Sequence, residues 1–181
     1  MDFQFIKTAI EDYKVGAITK SSKYATEKVL SHMQQDCAHV IEYGAGDGII
    51  TGKILERLPP HGKLLAIETN KTFVDVLHKT FSDPRVTVIH DDVAHAKKIV
   101  KELLPSGADF IVSGIPFSFI KPEIRRSIVR DTHESLAVGG RFVVYQYSTL
   151  MLPILKRHFT SVDVSFEPRN IPPYFVMKAL K

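Results

Sequence analysis

The chain has 181 residues, 44% of them hydrophobic, with 24 Lys/Arg against 20 Asp/Glu for a formal charge of +4. That length and composition suit one folded domain and exclude a disordered chain. Cys37 is the single cysteine, which excludes an internal disulfide and a multi-cysteine zinc site, and no apolar run approaches the ~20 residues that span a bilayer.

From the N-terminus, residues 2–14 read as an amphipathic helix whose Phe3, Ile6, Ile10 and Tyr13 share a face. That face either packs on the domain or lies in a membrane interface or over a substrate pocket. No signal-peptide core is visible, so the chain is expected to be cytoplasmic. Lys14, Lys20, Lys23 and Lys28 form a basic cluster there. A second helix is expected from Ser22, a good N-cap residue, with Glu27 and Lys28 in its early turns. Residues 1–36 thus form a helical cover and 37–181 the main body of one structural domain.

Strand and helix patterns then alternate. Strands are expected at 38–43, 63–68, 86–90, 109–113, 141–147, 162–166 and 174–180, the first five continuously apolar as in strands buried on both faces. Helical patterns occupy roughly 50–58, 71–81, 93–104 and 122–137. Breaks such as Pro59-Pro60-His61-Gly62 and Gly139-Gly140 separate them. This order predicts an α/β, doubly wound, seven-stranded and mostly parallel sheet. The short link between the last two strands suits a terminal antiparallel hairpin.

The first strand runs into Glu42-Tyr43-Gly44-Ala45-Gly46-Asp47-Gly48. A strand that stops on a carboxylate and turns through glycines lets a ligand touch bare backbone. A dinucleotide loop reads G-x-G-x-x-G, its third glycine easing helix packing. Here Ile49 holds that position, and the pattern is E-x-G-x-G-x-G. Ligands of open α/β sheets sit beyond the carboxyl ends of the strands, and polar residues fall at those ends. The second strand ends at Glu68, whose carboxylate can accept both hydroxyls of a ribose. The third ends in His90-Asp91-Asp92-Val93, where Asp92 can accept an adenine amino group and the Val93 N–H can meet a ring nitrogen. The fourth ends in Ser113-Gly114-Ile115-Pro116-Phe117. Each polar residue also has a plainer use as a cap, Asp92 above all.

Together these stretches resemble the sequential motifs of class I S-adenosylmethionine-dependent methyltransferases. The resemblance implies S-adenosyl-L-methionine as cofactor and no metal. Gly44, Gly46 and Gly48 would hold its methionine part, with Glu42 near the amino group. Glu68 would take the ribose, and Asp92 with Val93 the adenine. Tyr43, Ala45, Thr69, Asp91 and Ser113 complete the expected cofactor-binding set.

The fourth motif bears on the acceptor. Adenine N6-methyltransferases, including the ribosomal RNA adenine dimethylases, carry N/D/S-x-P-F/Y there, whereas this chain has Gly114 at the polar position. It also ends at 181 without room for the helical RNA-binding domain those enzymes append. Three stretches resemble the bacterial phospholipid N-methyltransferases instead. They are Val15-Gly16-Ala17-Ile18-Thr19-Lys20-Ser21-Ser22 (their G-A-I-x-P-S-S, with Lys20 for proline), Ser113-Gly114-Ile115-Pro116 (their S-G-L-P), and Arg169-Asn170-Ile171-Pro172-Pro173 (their N-x-P-P, followed by Tyr174 rather than alanine). That resemblance implies transfer of methyl to a phosphatidylethanolamine-type headgroup at an anionic membrane surface. Residues 121–181 carry ten Lys/Arg against five Asp/Glu, which suits such a surface, RNA, or a plain solvated face.

The Ser113 hydroxyl, the Ile115 carbonyl and the Tyr147 hydroxyl are candidates to orient the amine or accept its proton. Pro116 shapes the loop, and Phe117 with Phe119 can wall the pocket or pack in the core. Rival readings are an adenine in RNA or DNA, with Arg125, Arg126 and Arg130 on phosphates, a small-molecule amine, or a cofactor-binding module without turnover.

Overall fold

The computed structural model describes residues 22–181. The expected helix over 2–14 and the segment 15–21 lie outside the described residues.

Ser22 caps the first helix, α1 (Lys23–Leu30), its hydroxyl accepting the Ala25 N–H at 3.2 Å. There follow β1 (His39–Tyr43), α2 (Ile49–Leu55), β2 (Lys63–Glu68), α3 (Lys71–Thr80) and β3 (Val86–His90). A 3-10 turn, Val93–His95, leads into α4 (Ala96–Leu103), and a second, Phe117–Phe119, precedes the next helix. The second half comprises β4 (Ala108–Ser113), α5 (Pro122–Ser135), β5 (Leu136–Gln146), α6 (Leu152–His158), β6 (Ser161–Glu167) and β7 (Tyr174–Leu180). The seven strands form one sheet in the order β3-β2-β1-β4-β5-β7-β6, parallel except for β7, which runs antiparallel to both neighbours. The expected doubly wound sheet with its terminal hairpin is what forms.

The continuously apolar β1, β2 and β4 bury both faces, whereas β3, expected to do the same, lies at the sheet edge and has no buried residue. Alternate residues of β1 divide between two cores: Ile41 and Tyr43 join the side chains of α4, α5 and α6, while Val40 joins those of α1 and α2. The chain leaves β1 toward β2 and β3 but enters β4 on β1's other side. The carboxyl ends of β1 and β4 therefore flank the point where the winding reverses, where such sheets open a crevice.

Two elements depart from expectation. The helix over 122–137 stops at Ser135 because Leu136 pairs with Ala108 and extends β5 backwards. The register then shifts before Arg141 meets Phe110, looping out Val138, which is 97% exposed, and Gly139 at φ +75°. No helix is expected between β5 and β6, yet α6 forms, with Pro153 in its first turn, where the missing N–H lacks a helical partner anyway.

Candidate active site

Parallel register brings the strand ends to one rim. Tyr43 pairs with Ile67 on one side and Ser113 on the other, and Ile67 pairs with Ile89. The residues just beyond, Gly44, Glu68, His90 and Gly114, therefore share one edge of the sheet. Gly44, Gly46 and Gly48 all take positive φ, at 73°, 53° and 83°. They serve different ends. A Cβ on Gly48 would lie 2.7 Å from Phe81 and 2.9 Å from Leu77, so this glycine lets α2 approach α3. A Cβ on Gly44 would lie 3.1 Å from the Ile115 side chain. Around Gly46 no described atom lies within 4 Å of that position, which leaves its backbone open to a ligand.

Glu68 ties the first two loops together. One carboxylate oxygen accepts the Gly46 N–H at 2.9 Å and the other the Asn70 N–H at 2.8 Å. A carboxylate has about four acceptor positions, so a ribose can still be received. Glu42 is buried, with the Thr51 hydroxyl donating to it at 2.6 Å. Burial, with Glu68 and Asp47 nearby, pushes its carboxyl up to about 8 despite that hydrogen bond. A buried acid in this condition suits a cationic partner, such as the ammonium of a methionine group.

At the third strand, Asp92 does cap the following turn, accepting the Ala94 N–H at 2.8 Å. Asp91 accepts from the Asp92 N–H and sits 2.7 Å from His95 Nδ1. Burial opposes its ionisation, but these bonds prevail and hold the carboxyl below its ordinary range, while the same contact raises His95. Thr69 meets His90 Nε2 through its carbonyl at 3.0 Å, and Val93 is buried. Ala45 and Tyr43 are buried, Tyr43 receiving the Thr132 hydroxyl at 3.2 Å on the face of the sheet that α5 covers.

On the acceptor side, Ser113 is fully buried and its oxygen accepts the Ile115 N–H at 3.3 Å. The Ile115 carbonyl accepts from Phe117, and the Gly114 N–H donates to the Tyr43 carbonyl at 3.3 Å. Phe117 is buried among the residues packed on α5, whereas Phe119 is 58% exposed. Tyr147 stacks on Tyr174, centroids 4.8 Å apart.

Sequence reasoning missed Thr51, Tyr145, Tyr174 and the link between the first and last family segments. Ser22 N–H donates to Asn170 Oδ1 at 3.0 Å, while Asn170 Nδ2 reaches the Pro172 carbonyl at 2.7 Å. Tyr145 was findable: it lies two residues before Tyr147 on a strand and so faces the same way. A Cβ on Gly114 would lie only 2.1 Å from the Tyr145 hydroxyl.

These features define a methyltransferase of the Rossmann-like kind, and comparison bears this out. A family model described as methyltransferase small domain matches residues 19–171, and the chain belongs to that family. It is an S-adenosylmethionine-dependent methyltransferase. It is 28% identical over 162 residues to an ornithine lipid N-methyltransferase of Singulisphaera acidiphila, covering 88% of this chain and 84% of that one. It is 36% identical over 84 residues to an rRNA adenine N-6-methyltransferase of Bacillus licheniformis, covering 46% of this chain but 26% of that protein. The fold matches the N-methyltransferase NodS from Bradyrhizobium japonicum, crystallised with S-adenosyl-L-homocysteine, with a TM-score of 0.73, 12% identity and coverage of 96% and 97%.

Proposed function

We propose that this enzyme methylates the primary amine of a membrane-lipid headgroup, a phosphatidylethanolamine-type lipid first among them. The observation that carries this reading is at Gly114. A Cβ there would meet the Tyr145 hydroxyl, so the side-chain polar group of the adenine-methylating motif would have to displace that phenol. The relative named for ornithine lipid, which covers most of both chains, supports a lipid amine.

The open backbone at Gly46, the Glu68 carboxylate and the buried Glu42 acid fit the cofactor. We assign Glu42 to its amino group, Glu68 to its ribose, and Asp92 with Val93 to its adenine, flanked by Tyr43, Ala45, Thr69 and Asp91. Bound there, S-adenosylmethionine supplies a methyl group activated by its sulfonium. The headgroup ammonium first gives up one proton to water. The freed lone pair then forms the N–C bond as the methyl's bond to sulfur breaks with its electron pair, leaving a thioether and a methylated ammonium. The chain's own contribution is placement of the two reactants, which can replace much of the entropy of their encounter.

No described helix is long and apolar enough to cross a membrane. The basic residues of the second half, with the N-terminal cluster, hold the enzyme peripherally against anionic lipid, each adding about 1 kcal/mol near the surface. The test is incubation of the full chain with methyl-labelled S-adenosylmethionine and either anionic vesicles containing phosphatidylethanolamine or ribosomal RNA. Label in the lipid supports the proposal. Label in RNA alone favours the adenine reading, to which the partial match to rRNA adenine methyltransferases points. Cofactor binding without product in either supports a silent module.

A further inference from the structure

The carboxyl end of β5 and the start of β7 bring three phenols together beside the fourth-strand loop. In the antiparallel register Tyr145 faces Val176 and Gln146 faces Phe175, so the next step sets Tyr147 against Tyr174. The Tyr145 ring meets Tyr174 edge-on at 5.5 Å, and Tyr147 stacks on Tyr174 with the two hydroxyls 3.4 Å apart. The Tyr145 hydroxyl occupies the space that any side chain at 114 would need. Gly114 in turn is bonded through its N–H to the Tyr43 carbonyl, and Ile115 packs against Gly44. The phenols therefore abut the two loops between which donor and acceptor must meet.

We propose that Tyr145, Tyr147 and Tyr174 form the subsite for the acceptor's ammonium group. The Tyr145 hydroxyl accepts a hydrogen bond from the amine N–H, taking over from the polar side chain that Gly114 lacks. The exposed Tyr147 ring holds the cation on the π-face turned away from Tyr174, and the buried Tyr174 backs that ring, an attraction that persists when methyl groups have replaced every N–H. The ligand class is an alkylammonium, from primary to quaternary. This inference rests on the lipid-amine reading above, but its test separates the two.

The chain has no tryptophan and six tyrosines, so these three rings supply half of the tyrosines its fluorescence reads. Titration with dihexanoyl phosphatidylcholine below its micelle concentration gives the probe affinity without turnover. Tyr147→Leu is expected to weaken it by about fivefold, the size of a cation–π contact at an exposed site. Tyr145→Phe, which keeps the ring, is expected to lower kcat on phosphatidylethanolamine vesicles by about tenfold, as for one lost hydrogen bond to a charged group. Its calorimetric affinity for S-adenosylhomocysteine and its thermal midpoint should stay at the wild-type values. Unchanged probe affinity in Tyr147→Leu overturns the subsite even if lipid is methylated, as does wild-type kcat in Tyr145→Phe. Should no amine lipid be methylated, the function above falls, and the probe titration still decides whether the rings hold an ammonium.

Discussion

The two halves of the rim are built differently. The half assigned to the methyl donor, on β1 to β3, is made of consecutive residues at each strand end: glycines, buried carboxylates and a capped turn. The half assigned to the acceptor, on β4, β5 and β7, is made of rings from residues far apart in the chain, and its one glycine is shaped by a side chain 31 positions later (Gly114 and Tyr145). Backbone geometry defines the first and side-chain packing the second. The donor half should therefore respond to loss of charge or hydrogen bonds, and the acceptor half to changes of volume and ring chemistry.

The largest effect is expected at Glu68, which joins two loops and is assigned to the ribose. Glu68→Ala should weaken S-adenosylhomocysteine binding by about 2–4 kcal/mol, from loss of charged hydrogen bonds, read by calorimetry. An affinity within twofold of wild type would remove the ribose assignment. Next comes Gly114→Ala. Its methyl group must displace the Tyr145 phenol, an overpacking that costs about 1–3 kcal/mol. The comparison predicts loss of lipid methylation with cofactor affinity retained.

A smaller, pH-dependent effect belongs to Glu42. Its folded carboxyl lies at about 8, above the ordinary 4.5, so folding favours the protonated form. The stability it contributes is full below pH 4.5 and is lost as pH rises through about 8. The thermal midpoint of the ligand-free protein should fall across that window, and the fall should shrink in Glu42→Gln. Identical pH profiles would show that Glu42 does not titrate there. The smallest is Asn170→Ala, which removes the bonds to Ser22 and Pro172 just before β7. A loss of about 1–2 kcal/mol is expected in denaturant melts.

The same contrast explains what the sequence disclosed. β2, β3 and β7 begin and end where the residue pattern places them, because apolar runs bounded by Pro, Gly and Asp are local signals. So is Ser22 as a cap. That Glu42, Gly46, Glu68 and Asp92 fall along one rim was legible because strand ends in a parallel sheet must share an edge. The backward extension of β5 was hidden because Leu136 gains its partner from Ala108, which no local pattern encodes. α6 was hidden behind Pro153, which ordinarily breaks a helix and here sits where it does no harm. Tyr145 and Tyr174 escaped notice because only the antiparallel pairing of β5 with β7 brings them together. Phe117 shows the converse: a motif position whose ring the fold buries in the core.

The independence of the two halves is tested most directly by titrating S-adenosylhomocysteine calorimetrically into the wild type, Glu68→Ala and Gly114→Ala. The account predicts wild-type affinity in Gly114→Ala and a drop of about thirtyfold or more in Glu68→Ala, the lower end of the loss of charged hydrogen bonds. Equal affinity in all three proteins, or an equal drop in both variants, would contradict it.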